Sequence, residues 1–411
     1  MSAAHASPPR WDVIIVGARV AGATLAGFLG QAGLRTLLVD RMQFPAYYPR
    51  QASWGLETEE RWATLGVLPR INALGAPARR GYFTATEDAV LTYRFPEGEP
   101  SVYNKMARRL VLDPLLAENA ASFPSVELRL GVTASSLCWD QDRVAGLRLA
   151  RDGGEYQEPA RLVVGADGRH SWLARQVKAA RHEYVPAPKA NFIADYAGTN
   201  VQPDMSVRVW DQVGSMGMAM MEDSLVTVGV GVPLTEIQEF RAGLPDTFER
   251  RLRHHPLYDS QIGSGKRVSP VGGAVDLGMY KRKPYGPGWA LVGDAGYHLD
   301  PLAARGTTAA VAGAQLLADA IVSYLAGDSP EPAAFERYQA ERDRVLASEW
   351  DVSLAAMTRG TPTERDVQEA RLLASRPDLV ERHILVLRGL ADADEFRATL
   401  EAELGPRSAT V

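Results

Sequence analysis

The sequence predicts an α/β protein: a Rossmann-like nucleotide-binding domain interrupted by an inserted, mainly antiparallel β domain and followed by C-terminal helices. Three observations carry this. A strand, a glycine turn, a helix, a second strand and an acid follow one another between Asp12 and Arg41. Two further apolar strands end in glycine–acid turns far along the chain, at Gly165-Ala166-Asp167-Gly168 and Gly293-Asp294-Ala295. Between them, from roughly Glu183 to Lys283, the pattern is mostly that of β-strands.

The first stretch sets the frame. Val13 to Val16 is an apolar run of the kind a buried parallel strand shows. It breaks at Gly17-Ala18-Arg19-Val20-Ala21-Gly22, and a helical pattern follows to Gln31. Thr36 to Val39 is the second strand, and it ends on Asp40. Gly17 permits a sharp turn that aims backbone N–H groups and a positive helix end at a pyrophosphate. Gly22 permits close helix–sheet packing, and Asp40, 23 residues after Gly17, is placed to accept from a ribose. The middle glycine of G-x-G-x-x-G is replaced by Arg19. Its side chain either points away from the phosphates or covers them with its guanidinium.

Composition narrows the class. The 411 residues suffice for two or three domains, and the net charge of −5 does not indicate a nucleic-acid surface. Cys138 is the single cysteine, so no internal disulfide, thiolate metal cluster or CxxC pair is possible, and a reducing, cytoplasmic setting is expected. No metal site is expected. The opening MSAAHASPPR lacks the apolar centre of a signal peptide and reads as a loose tail. No apolar run approaches about 18 residues, so no transmembrane segment is expected.

The remaining elements follow in order. Pro45 and Pro49 force a loop that gathers Phe44, Tyr47, Tyr48, Arg50 and Trp54. Aromatic side chains and an arginine beside a nucleotide turn suit a flat ligand, or else pack on the protein's own core. A short helix covers Glu57 to Leu65; Gly81–Thr84 and Leu91–Phe95 pair as strands; a helix opens near Arg109. Ser135–Trp139 and Arg143–Leu149 form a hairpin. In the β region, Met218 and Met220 share one face, either filling a core or facing a substrate. A helical interruption spans about Thr235 to His254. A long helix runs from Gly306 to Ala326, and the rest is helical, with breaks at Thr361-Pro362 and near Gly389. The expected division is 1–79, 100–182 and 284–330 for the nucleotide domain, 80–99 and 183–283 for the β domain, and 331–411 for the helical region.

The three glycine–acid turns, with Arg109 at a helix start, together resemble the FAD-dependent monooxygenases of the para-hydroxybenzoate hydroxylase type, which share the glutathione reductase type of FAD-binding fold. The resemblance runs from Asp12 to about Ala326. It implies that Gly17, Ala18, Arg19, Ala21 and Gly22 hold the FAD pyrophosphate, with Asp40 and Arg41 at the adenosine end. Arg109, in Arg-x-x-Leu-Asp, is similar to an arginine that contacts FAD. Asp167 lies in the family's Asp-Gly motif, linked to nicotinamide use, and Asp294 is similar to the aspartate that bonds the ribityl chain. Pro301, Gly306 and Thr307 would flank the isoalloxazine.

Two positions depart from the family pattern. Tyr297 stands at a usual histidine, and Ala304-Arg305-Gly306 stands where Gly-x-Gly is usual. Arg305 and His298 either project near the flavin or are an ordinary surface arginine and loop histidine.

The resemblance further implies NAD(P)H as a transient co-substrate, since no second dinucleotide turn is visible, and O₂ as the oxidant. Its chemistry is oxygen transfer to a small molecule through a flavin C4a-hydroperoxide, with water excluded. No catalytic acid or base is assigned. Tyr48, Trp54, Met218 and Met220 are the substrate-binding candidates, suited to an apolar or aromatic molecule such as a secondary metabolite. Three alternatives remain. One is a reductase of the geranylgeranyl reductase type, to which Arg109-x-x-Leu-Asp113 is also similar. Another is a flavin halogenase, although Trp-x-Trp-x-Ile-Pro is absent. The last is a non-catalytic FAD-binding protein.

Overall fold

The computed structural model describes residues 10–95, 104–387 and 391–405. The expected N-terminal tail, apart from Arg10, and the expected break near Gly389 lie outside them.

The first sheet is built on parallel pairing. Trp11–Val16 lies between Gly154–Gly165 and Thr36–Asp40, and Val126–Leu130 and Trp289–Leu291 extend it on either side. Apolar runs are required because both faces are covered. Val13 and Ile15 pack with the helices Val20–Gln31, Arg109–Ala121 and Gly306–Ala326, while Ile14, Leu37 and Val39 pack on the opposite side with Leu147 and Leu173. The strand Gly154–Gly165 enters the sheet from a hairpin with Arg143–Arg151. The glycine–acid turns sit at the carboxyl ends of neighbouring parallel strands, where open α/β sheets hold ligands.

The helix Gly306–Ala326 is, among the described residues, the one long and apolar enough to cross a membrane. Val311, Ala314, Leu317 and Ile321 are fully buried in the first core, so its apolar character is used inside the protein.

The second sheet has the order Lys266–Arg267, Lys189–Ala197, Val226–Pro233, Gly214–Met220, Met205–Asp211, Gly81–Thr86, Ala89–Arg94. One face packs on short helices within Ile237–Gln261 through Phe240, Phe248 and Leu252. The expected single helical interruption is thus three short helices, Ile237–Ala242, Asp246–Arg253 and Tyr258–Gln261. Gly243 and Pro256 separate them.

Part of the expected proline loop is a strand. Gln51–Gly55 pairs antiparallel with Asn104–Arg108. Its partner lies some fifty residues on, out of reach of any local pattern. The C-terminal helix beginning at Glu331 breaks at Leu346 into Glu331–Val345 and Ala347–Thr358. Three later helices pack through Ala370, Leu373, Leu379 and Phe396 on Leu91, Tyr93 and Phe95.

Phe335 ties the C-terminal helices to the first sheet. It is fully buried, with its ring 6.1 Å from that of Tyr285 and 6.0 Å from that of Tyr324. Phe335→Ala is expected to cost about 3–5 kcal/mol, read as a lowered urea midpoint; a midpoint unchanged from wild type would show that this contact does not hold the layers together.

Candidate active site

The first turn is dictated by space. Gly17 has φ +106°, a conformation that favours glycine. A Cβ there would lie 2.5 Å from the carbonyl oxygen of Ala166, and one at Gly22 would lie 1.8 Å from that of Gly17. Both obstacles are backbone and cannot swing aside. The helix Val20–Gln31 has no side-chain cap and no acid in its first turn. Its leading N–H groups and positive end are left to an anion. Asp40 fixes the turn from the next strand: Oδ2 accepts from the Ala18 N–H and Oδ1 from the Met42 N–H, each at 2.9 Å. Arg41 is exposed.

Arg19 does not extend into bulk solvent. Its guanidinium lies 4.1 Å over the ring of Tyr48, and Nε is 3.8 Å from Asp113 Oδ2. Arg109 Nε donates to the other oxygen of Asp113 at 2.5 Å. Burial pushes the Asp113 carboxyl up, against the pull of Arg109 and Arg19. Tyr48, a substrate candidate, stands beside this arginine pair and the cofactor turn.

The third glycine–acid turn presents a carboxylate to an internal space. The Asp294 side chain is 41% accessible, yet it is strongly desolvated by the protein around it. Burial works to raise its pKa, but His298, with Arg50 and Arg109 further off, outweighs this and holds the carboxyl below its usual range. His298 Nδ1 is 3.5 Å from Asp294 Oδ1. The imidazole is buried, and neither ring nitrogen makes a hydrogen bond.

The neighbouring loop is held by Asp300, whose Oδ1 accepts from the Leu302 N–H at 2.9 Å. Burial pushes the Asp300 carboxyl up to about 6, against the Leu302 N–H, His298, Arg50 and Lys189. Ala304 adopts a left-handed φ of 57°. This is the first position of the Gly-x-Gly departure, so alanine here carries a strain of about 1–2 kcal/mol that glycine would avoid. Half-buried Pro301 precedes it, and Gly306 and Thr307 open a 21-residue helix with neither side-chain cap nor acid in its first turn. Arg305 pairs with Glu349 at 3.4 Å.

Asp167 does a different job. Its Oδ2 accepts from the N–H groups of Trp172 and Leu173 at 2.6 and 3.1 Å, capping a short helix. Its Oδ1 is buried without a partner, and burial raises its pKa.

Three substrate candidates need correction. Trp54 is 1% exposed, donates to Glu59 Oε1 and meets Trp62 edge-on inside the first core. Met218 is 2% exposed in the second core, and Met220 packs against that core. The methionine face is the helix-facing side of the sheet, so these side chains fill the core. The opposite face carries Tyr82, Thr84, Ser206, Arg208, Trp210 and Ser215 in register. Beside Arg208 stand Gly217 and then Gly229. Asp300, Arg79 and Arg208 belong to no motif that the sequence displays. The available signal for Arg208 was a lone arginine in the alternation Ser206-Val207-Arg208-Val209-Trp210.

Comparison with known proteins places this geometry. The pattern of a family described as "FAD binding domain" matches residues 10–352. A tryptophan 2-halogenase of Chondromyces crocatus is 24% identical over 81% of this chain, which spans 65% of that protein, just under two thirds of its length. A digeranylgeranylglycerophospholipid reductase of Methanopyrus kandleri is 25% identical over 80% of this chain and 85% of its own. A rifampicin monooxygenase of Streptomyces venezuelae is 27% identical over 90% and 75%. Among solved structures, the myxobacterial chondrochloren halogenase shares the fold, with TM-score 0.78, 22% identity, and coverage of 94% of this chain and 92% of that one.

Asp300 supplies a pH test. Its folded pKa of about 6 lies above the ordinary 3.8. A proton held more tightly by the folded state adds stability that is complete below the unfolded pKa and lost as pH rises through the folded one. Asp300→Asn keeps the acceptor for the Leu302 N–H. It should flatten the stability decline between about pH 4 and 6 by up to about 3 kcal/mol. Parallel curves for variant and wild type in urea melts across that range would contradict the assignment.

Proposed function

The chain belongs to the FAD binding domain family and is an FAD-dependent oxidoreductase, and from that premise we propose that it is a monooxygenase oxygenating an apolar or aromatic small molecule with NAD(P)H and O₂. The balanced reaction takes substrate, O₂, NAD(P)H and a proton to oxygenated substrate, water and NAD(P)⁺. The observation that carries this reading is Asp294. A carboxylate that is reachable yet desolvated faces an internal space close to an uncapped helix end.

The residues present fit FAD. A Cβ at Gly17 or Gly22 would run into backbone, so the chain bends tightly here and leaves an uncapped helix end for the pyrophosphate. Asp40 would accept from the ribose while pinning Ala18, and Arg109 and Arg19 would add positive charge beside the phosphates. Asp294, held ionised by His298, would accept from the ribityl hydroxyls. Pro301 and the helix start at Gly306–Thr307 would border the isoalloxazine, the positive helix end favouring negative charge there. When bound, FAD supplies hydride acceptance from NAD(P)H and the activation of O₂. The chain positions, desolvates and excludes water. In this reading residues 80–99 and 183–283 form the substrate-holding part and the nucleotide domain holds the cofactor.

Two rival chemistries fit less well. A phospholipid reductase needs a long apolar bed for a lipid chain, whereas the open sheet face sets Tyr82 and Trp210 among Thr84, Ser206, Arg208 and Ser215, which suits a small aromatic molecule better. The Trp-x-Trp-x-Ile-Pro pattern expected of a halogenase is absent from the chain.

The test is isotopic. FAD-loaded protein is supplied with NADH or NADPH and ¹⁸O₂ over a panel of aromatic small molecules, with bromide present in a parallel set. A product heavier by one ¹⁸O per NAD(P)H consumed is expected. A product that gains two hydrogens, or bromine, would replace this reading with the reductase or the halogenase. Independently, Asp294→Ala should weaken FAD binding by about tenfold or more, as the loss of a charge-assisted hydrogen bond implies. Unchanged affinity by flavin fluorescence titration would contradict the ribityl role.

A further inference from the structure

We propose that Tyr280 is a positioning residue for the cofactor: its hydroxyl, shared between the backbone carbonyls of Arg169 and Asp294, clamps the second glycine–acid turn to the third and thereby aims the Asp294 carboxylate. The proposal rests on the reading that Asp294 accepts from the FAD ribityl hydroxyls.

The strand ladder does not by itself fix these two turns against each other. The Val292 N–H donates to Gly165 O at the strand ends. The carbonyls of Asp294 and Arg169 lie further along the chain, inside the turns. The polar side chains of the second turn do not hold the third. Asp167 Oδ2 accepts from Trp172 and Leu173 within its own unit, while Asp167 Oδ1 and Arg169 Nη1 are buried without hydrogen-bond partners.

The third turn is held carbonyl by carbonyl. Arg282 Nη1 donates to Ala295 O at 2.8 Å, and the Arg282 N–H and Arg342 Nη1 donate to Gly296 O at 2.9 and 3.4 Å. These bonds leave the second turn untouched. Tyr280 reaches both: its hydroxyl donates to Arg169 O at 2.8 Å and to Asp294 O at 2.7 Å. A hydroxyl carries one proton, so the two carbonyls share it in a three-centre bond. Without that proton the negative ends of two carbonyl dipoles would face each other, and the turns would move apart.

The hydroxyl is placed by the sheet that carries it. Tyr280 is 2% exposed in the strand Met279–Arg282, paired with Tyr184 on one side and His298 on the other. The guanidinium groups of Arg181 and Arg282 lie 4.8 and 4.5 Å from its ring centre, and the His298 ring lies 5.4 Å away. A ring packed in this way is held in its rotamer, so the hydroxyl is a fixed point to which the turns adjust. Burial raises the phenol's pKa, against the pull of Arg282, and keeps it a donor. His298 is in turn the neighbour of Asp294 Oδ1. Tyr280 thus meets Asp294 twice, at the main chain through its hydroxyl and at the side chain through His298.

The test is a double-mutant cycle on FAD affinity, read by quenching of flavin fluorescence with the full-length apoproteins. Tyr280→Phe keeps the ring and removes the shared proton; it should weaken FAD binding about fivefold or more. In the Asp294→Ala background the same change should weaken binding less than about twofold, because the carboxylate it aims is gone. Equal losses in both backgrounds would overturn the proposal, since a packing role acts with or without that carboxylate. So would a Tyr280→Phe variant that binds FAD like the wild type while Asp294→Ala is weakened. Unchanged affinity in Asp294→Ala is a distinct result: it removes the ribityl reading, and this proposal with it. Circular dichroism shows that each variant is folded. A second measurement needs no variant: deuterium exchange of the wild type with and without FAD. The backbone amides of 166–171 and 293–298 should gain protection together; protection confined to 293–298 would overturn the clamp.

Discussion

The site depends on the lacing together of three strand ends by their backbones. The Gly17 N–H donates to Val39 O, the Ala166 N–H to Val16 O, and the Val292 N–H to Gly165 O, at 2.8, 2.8 and 2.9 Å. Each bond continues the parallel ladder one step into a turn. Three glycine–acid turns that are far apart in the chain are thereby forced side by side. Glycine is needed where they touch: a Cβ at Gly293, which has φ +60°, would lie 2.8 Å from the Ala21 side chain. The close approach leaves helix ends and carboxylates, rather than bulky side chains, at the edge of the sheet.

Electrostatics then divides the labour among the acids. Asp40 spends both oxygens on backbone N–H groups, and Asp167 spends one on a helix start. Asp113 balances two arginines. Asp294 alone of the acids in the three glycine–acid units has a partly accessible carboxylate whose pKa is also held down, and buried His298 stands 3.5 Å from it. Arginines gather on the nucleotide side: Arg19 and Arg109 share Asp113, and Arg109 with Arg50 lowers the pKa of Asp294. Positive charge beside the first turn favours a cofactor with phosphates.

Much of this was legible because it is local. Strand–turn–helix periodicity, the spacing of Asp40 from Gly17 and the repeated Gly-Asp ends are short-range patterns, and the folded chain keeps them. What was not legible depends on which side of a sheet a residue takes. Alternation in the sequence puts Met218 and Met220 on one face, but only the packing of Phe240 and Phe248 decides that this face is core. Trp54 sat in an apparent loop because its strand pairs with residues fifty positions later. Arg19, an exception to the glycine pattern, finds its place only when Tyr48 and Asp113 are brought to it by separate elements. Arg208 carried almost no sequence signal, since a lone arginine in a strand usually faces water.

The central claim is that the turn between Gly17 and Gly22 is the seat of FAD. Titration of the apoprotein with FAD, followed by quenching of flavin fluorescence, tests it most directly when run beside Gly22→Ala, whose methyl group would meet the Gly17 carbonyl oxygen at 1.8 Å. The account predicts one FAD per chain for the wild type, and loss of that binding in a variant that still shows native circular dichroism. A wild type that leaves flavin fluorescence untouched, or a folded Gly22→Ala variant that binds FAD as tightly as the parent, would contradict it.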